Sequence, residues 1–232
     1  LARSLLRKMK ADLSWLEDHA YTHPTVDKTV TALIETDSGN IRIGFFSQPE
    51  LAPEHTKNFI KLAKEGFYND LLFHRVARGF VIQAGCPETR DRNKLNEHGT
   101  GGPGYRQTPE PARFAVNHLG GVVSTASGPE GESGSQFFIC LEDTPQLDKK
   151  YTPFGEVVEG MDVVETIGRV QTFGQDPAFR ESEMFRNLNE HPTKDIVIRA
   201  ISIWRNGKIV DGHDWDASIV GTAWSTPEAE AP

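Results

Sequence analysis

Residues 73–85 carry two short apolar runs, Phe73-His74-Arg75-Val76-Ala77 and Phe80-Val81-Ile82-Gln83-Ala84, on either side of Arg78-Gly79. Aromatic and β-branched residues around such a break predict a strand, a tight turn and a second strand. A hairpin of this kind can present Arg75 and Gln83 together. A guanidinium is almost never buried without a partner. On this stretch alone, Arg75 is therefore either a salt-bridged edge-strand arginine or a group with a chemical task.

The rest of the chain repeats the same economy of short strands and turns. Residues 29–36 and 41–46 are β-rich and separated by Asp37-Ser38-Gly39-Asn40, a hairpin pattern. Pro53 stands where a helix can start, and Phe59, Ile60, Leu62, Ala63 and Phe67 form a helical stripe ending near Gly66. Residues 86–98 are polar and without periodicity and read as a surface loop. Residues 114–126, broken by Gly120-Gly121, predict another pair of short strands. Residues 135–141 are the most strand-like run, bounded by loops at 128–134 and 142–149. A strand at 151–158, a short helix at 160–168 with Met161, Val164 and Ile167 inward, and a last strand at 196–204 complete the pattern. Many short strands, two helices and glycine-rich turns point to a mainly β protein, an antiparallel barrel whose closure removes exposed edges.

Both ends differ from this middle. Leu1, Leu5, Met9, Leu13, Leu16 and Ala20 recur at helical spacing, so residues 1–20 are expected to form an amphipathic helix, followed by a linker to residue 28. Such a stripe either packs on the main domain or docks a partner or membrane surface. Residues 206–232 form a C-terminal extension, and its composition beyond Gly212 is that of a disordered tail.

Several functions are excluded at this level. The formal net charge of −8 argues against a general nucleic-acid binder, whose footprint is a basic face. Cys86 and Cys140 are too few and too far apart for a zinc ribbon or a disulfide framework. They lean towards a reducing, cytoplasmic compartment, while a chain starting at Leu1 leaves a processed or exported form open. No apolar run approaches the roughly 20 residues of a membrane-spanning helix. Gly99-Thr100-Gly101-Gly102-Pro103-Gly104 fits G-x-G-x-x-G, but neither a preceding strand nor a following helix is expected there, so its glycines are read as a sharp turn beside a groove. Gly131-Glu132-Ser133-Gly134-Ser135 lacks the spacing of a nucleophile elbow. His118 reads as a packed or turn histidine, with no carboxylate placed to orient it as a triad requires.

Four separated segments resemble one family, the cyclophilin-type peptidyl-prolyl cis-trans isomerases, in the family's order and at nearly its spacing. They are Phe73-His74-Arg75-Val76 with Gly79-Phe80-Val81-Ile82-Gln83, Gly99-Thr100-Gly101-Gly102, Ser135-Gln136-Phe137-Phe138-Ile139 and Phe154-Gly155-Glu156-Val157. The resemblance covers about residues 29–205, with insertions at about 86–98 and 171–194. It implies a closed eight-stranded antiparallel barrel capped by two helices, to which the N-terminal helix is an addition. It also implies a catalytic Arg75 held by Gln83, and a substrate groove formed by Phe80, Val81, Ala126, Ser127, Gln136, Phe138, Leu147 and Tyr151. His74 belongs to the motif as a structural residue. The implied partners are proline-containing polypeptides, and no metal or organic cofactor is implied.

Tyr151 stands where many relatives have histidine, Ser127 where an asparagine is common, and Gln146 where the best-known relatives carry a tryptophan that contacts cyclosporin. Weak cyclosporin binding is the expectation. The activity implied is rotation about X-Pro peptide bonds in assistance of folding; the alternative is a non-enzymatic module or scaffold that captures a proline-containing segment, with the N-terminal helix as a docking element.

Overall fold

The computed structural model describes residues 23–48, 51–179 and 188–210. The expected N-terminal helix and the tail beyond Gly212 lie outside them. Among the described residues the architecture is mainly β, a single curled antiparallel sheet. Its strands are β1 (Val26–Thr36), β2 (Gly39–Phe46), β3 (Leu71–Leu72), β4 (Arg75–Ala77), β5 (Val81–Ala84), β6 (Arg106–Gln107), β7 (Val122–Gly128), β8 (Gly131–Cys140), β9 (Pro153–Glu159), β10 (Val197–Arg205) and β11 (Lys208–Ile209). The order is β11-β10-β1-β2-β9-β7-β8-β5-β4, while β3 pairs with β10 and β6 with β8.

Three α-helices accompany the sheet among the described residues: α1 (Pro53–Lys64), α2 (Ala112–Ala115) and α3 (Met161–Gly168). Helix α1 buries His55, Thr56, Phe59, Ile60, Leu62 and Ala63 and packs on β8, β9 and β10. Phe59 is its centre of contact, with ring centroids 5.1 Å from Tyr68, 5.3 Å from Phe154 and 5.4 Å from Phe137. Pairs at these separations are favourable beyond the area they bury. Helix α3 turns Val164 and Ile167 inward and packs on β2, β4 and β5.

The N-terminus of α1 has no side-chain cap of its own, because Ala52 occupies the capping position. The Glu110 carboxylate replaces it from a distant loop, accepting from the backbone N–H of Glu54 at 3.1 Å and of His55 at 2.8 Å. An anion there satisfies free helix donors and opposes the positive end of the helix dipole. The same Glu110 meets His55 Nδ1, and His55 Nε2 lies 2.9 Å from Glu132, whose carboxylate also accepts from Thr152 Oγ1 at 2.8 Å. His55 and Glu132 are both buried. This cluster joins α1, the loop before α2, β8 and the approach to β9.

Three expectations about elements need correction. Residues 114–126 do not form two strands: residues 112–115 are helical, and only residues 122–128 are a strand. Short apolar runs do not distinguish the two states. Residues 131–134, expected in a loop, open β8, because Arg106 and Gln107 pair with Ser133 and Glu132 and so supply a ladder that composition does not advertise. Finally, residues 86–98 are not wholly a surface loop. Cys86 and Thr89 are fully buried, and Thr89 Oγ1 accepts from Leu72 N at 3.0 Å while donating to Cys86 O at 2.7 Å.

Candidate active site

Successive side chains of a strand point to opposite faces, and in β4, β5 and β8 both faces are used. Val76, Ile82, Phe137 and Ile139 belong to the main core. Ala77, Val81, Phe138 and Cys140 face the other way, forming a second apolar cluster with Ala126 and Leu147, against which Phe80 and Tyr151 pack. Register then sets the polar groups. Arg75 pairs directly with Gln83, Gln83 with Phe138, and Phe138 with Ser124, which makes one row across four strands.

The expected juxtaposition of Arg75 and Gln83 is therefore present. Arg75 Nη1 donates to Gln83 Oε1 at 3.3 Å, and Gln83 Nε2 donates to Gln136 Oε1 at 3.0 Å. Gln136 Nε2 in turn donates to the carbonyls of Gly99 and Gly101, each at 2.8 Å. The glycine-rich turn thus lies beside the groove, Gly99 having a φ of 93° that disfavours other residues. Arg75 is also salt-bridged, through Nε to Glu190 Oε2 at 2.6 Å. Of the two readings of the arginine, the salt-bridged one is thereby observed.

A cavity of about 350 Å³ opens at this row. Arg75, Phe80, Val81, Gln83, Ala126, Ser127, Phe138, Leu147 and Tyr151 line it, and Gln136 lines an adjoining cavity of about 410 Å³ with Gln83, Ala126 and Ser127. All ten expected site residues are brought together. The walls of the smaller cavity combine the apolar side chains of Phe80, Val81, Ala126, Phe138 and Leu147 with polar groups from Arg75, Gln83, Ser127 and Tyr151, of which Arg75 is the one charged residue. Tyr151 and Phe138 meet edge to face at 5.3 Å.

Behind Phe138 stands His118, its ring stacked at 5.8 Å. The expectation that no carboxylate orients it is overturned. Asp148 Oδ1 is 3.0 Å from His118 Nδ1 and accepts from the His118 backbone N–H at 2.8 Å, while His118 Nε2 is 3.2 Å from Ser124 Oγ. The constellation has the residue types of a nucleophilic triad, but Ser124 is fully buried and His118 almost so. A substrate carbonyl has no path to the serine. Burial lowers the His118 pKa, against the raising effect of Asp148. The group braces Phe138 from beneath. His74 is buried too, and desolvation, followed by the neighbouring His191, pushes it down to about 3. It is neutral at any working pH, consistent with a structural part. The Cys140 thiol is pushed up to about 12 by burial, which leaves it unreactive.

The family model for cyclophilin type peptidyl-prolyl cis-trans isomerases matches residues 31–203. The chain belongs to the cyclophilin family. A peptidyl-prolyl cis-trans isomerase of Helicobacter pylori is 44% identical over 140 residues, 60% of this chain and 80% of that protein. Peptidyl-prolyl cis-trans isomerase B of Bacillus subtilis is 44% identical over 126 residues, 54% of this chain and 82% of the relative. Among solved structures, a Cryptosporidium parvum cyclophilin type isomerase studied in the presence of the dipeptide Ala-Pro superposes with a TM-score of 0.59 at 26% identity. That match covers 74% of this chain and 96% of the other. The cyclophilin described here is accordingly a peptidyl-prolyl cis-trans isomerase. Its sequence did not reveal Glu190 or Asp148, since each reaches its partner from far along the chain without a local motif.

Proposed function

We propose that the row Arg75, Gln83, Phe138 is where this isomerase rotates X-Pro bonds, with the proline ring in the 350 Å³ cavity and the peptide along the groove past Gln83 and Gln136. The observation that carries this is a guanidinium, held by Gln83 and Glu190, that lines one cavity with the apolar side chains of Phe80, Val81, Phe138 and Leu147. A proline-containing ligand is supported by the Cryptosporidium parvum relative, studied with Ala-Pro.

Resonance holds a peptide bond planar against a barrier of about 18–20 kcal/mol, and an X-Pro bond isomerises unaided over tens to hundreds of seconds. Twisting that bond localises the nitrogen lone pair and makes the nitrogen an acceptor, which the planar amide lacks. A donor waiting at that nitrogen binds the twisted state better than either planar isomer and so lowers the barrier. Each ~1.4 kcal/mol of that preference is tenfold in rate. The apolar walls hold the ring while the groove holds the preceding carbonyl, so that one side turns against the other. No bond is cleaved and no cofactor is required for this step. Extended or unfolded polypeptides are the substrates, which makes assistance of folding the role. In an exchange experiment on short X-Pro peptides the protein is expected to accelerate interconversion at substoichiometric amounts. An unchanged exchange rate with folded protein would rule the reading out.

We read the curled sheet as the closed eight-stranded barrel of the family. The short segment at residues 71–77 supports this, since its β3 part pairs with β10 and its β4 part with β5, at opposite ends of the strand order. Helix 1–20 is proposed to pack outside this barrel through its leucine stripe. Gln146, exposed beside Leu147, lacks the flat apolar surface of an indole, and weak cyclosporin affinity follows. Gln146→Trp is expected to tighten cyclosporin binding by about 2 kcal/mol, the scale of an aromatic anchor. Equal affinity of parent and variant in a titration removes that argument.

A further inference from the structure

The segment between α3 and β10 places an acidic group on the arginine of the site. Its two ends run antiparallel: Phe173 N donates to His191 O at 3.0 Å, Gly174 N to Asn189 O at 2.9 Å, and Thr193 N to Gln171 O at 2.9 Å. Gly174 permits this approach, because a Cβ there would stand 2.8 Å from Asn189 O. The returning end is fastened to β4 as well, with Val76 N donating to Glu190 O at 2.7 Å. His191 Nε2 lies 2.9 Å from His98 Nδ1, which ties this insertion to the one at residues 86–98. Glu190 is thus fixed by its own backbone next to Arg75, and its carboxylate takes the Nε–H at 2.6 Å.

Resting on the assignment of Arg75 above, we propose that Glu190 is a positioning residue for isomerisation: it holds Nε while Gln83 holds Nη1, so that the guanidinium waits in one orientation. Nη2 makes no hydrogen bond among the described residues and remains for the substrate. An arginine side chain free in solvent loses much rotamer freedom when it docks on a twisted bond. Two anchors from two elements remove that loss before the peptide arrives, which is how a preorganised donor acts on the rate rather than on binding. The pair itself is half exposed, at 35% for the Arg75 side chain and 48% for that of Glu190. Solvent screening leaves it little weight in stability.

The expected signature is therefore kinetic. Glu190→Ala lowers kcat about tenfold, with KM and melting temperature little changed. Glu190→Gln, which keeps an acceptor for the Nε–H, restores most of the loss. In an Arg75→Ala background Glu190→Ala changes nothing further, because the residue works through the arginine. A kcat at or above the parent's in Glu190→Ala overturns the assignment, a rise meaning that the carboxylate damps the guanidinium instead of aiming it. A further loss in the Arg75→Ala background overturns it as well. Failure of the underlying site reading shows separately, as full activity in Arg75→Ala alone.

Discussion

Replacing Arg75 by alanine is expected to lower kcat/KM for X-Pro isomerisation by about 10²–10³-fold, the usual cost of removing one preorganised donor from a site where electron density localises. The loss should fall on kcat. The walls proposed to hold the proline ring, Phe80, Val81, Phe138 and Leu147, are untouched, so peptide binding is expected to persist. Folding should persist too, because the Arg75 side chain is 35% exposed and its ion pair is screened. Arg75→Lys is expected to recover little. A lysine ammonium is a compact point charge and cannot meet Glu190 and Gln83 through two differently directed N–H groups while offering a third. Peptide exchange rates for the parent and both variants decide the matter: activity of Arg75→Ala within about twofold of the parent would remove the arginine from the mechanism.

His55→Ala is expected to destabilise the fold by about 3–5 kcal/mol, the scale found when one partner of a buried charged cluster is deleted. In a chain of this size that is a fall of roughly 6–20 °C in melting temperature. The deletion leaves Glu110 and Glu132 facing one another without the ring between them. Burial alone would lower the His55 pKa, but hydrogen bonds and charge from Glu110 and Glu132 outweigh it, and the pKa is raised above 6.5. Burial likewise works to raise Glu110, and the hydrogen bonds from His55 and the helix N–H groups outweigh it, so its pKa lies below 4.5. The raised histidine contributes stability that is complete below pH 6.5 and is lost as pH climbs through the folded value. The depressed carboxylate contributes stability that is complete above pH 4.5 and is lost as pH falls through its folded value. The cluster should therefore be most stabilising between these limits, and thermal melts of the parent should show a decline above them that His55→Ala lacks. Parallel pH profiles for the two proteins would discard this account.

What could be read from residues alone, and what could not, divides by range. The Arg75–Gln83 pair was legible because a two-strand hairpin with a tight turn at Arg78-Gly79 brings its two arms into register, and register is local chemistry. Helix α1 was legible from Pro53 and the Phe59, Ile60, Leu62, Ala63 stripe. Its cap was not, since Glu110 lies 55 residues from His55 and nothing near Ala52 announces where an acceptor for the free helix N–H groups comes from. Glu132 reads as a loop residue among glycines and serines, yet it is buried in β8 against His55, 77 residues away. Glu190 is the same case at a separation of 115. Each of these is a polar group whose role depends on what the folded sheet puts opposite it, and no spacing rule in one dimension carries that information.

The alternation along β8 has an evolutionary consequence. Phe137 and Phe138 are neighbours of identical chemistry, but one belongs to the main core and the other to the cavity wall. Deleting a single residue between Gly134 and Gln136 would exchange their faces, sending an aromatic ring of the core into the groove and the groove's ring into the core. No hydrophobicity score would register the swap. The strand can therefore drift in composition but not in length. The Glu190 carboxylate, by contrast, reaches Arg75 from outside β8, fastened by the Val76–Glu190 backbone hydrogen bond, so a group can be set beside the arginine without disturbing that alternation.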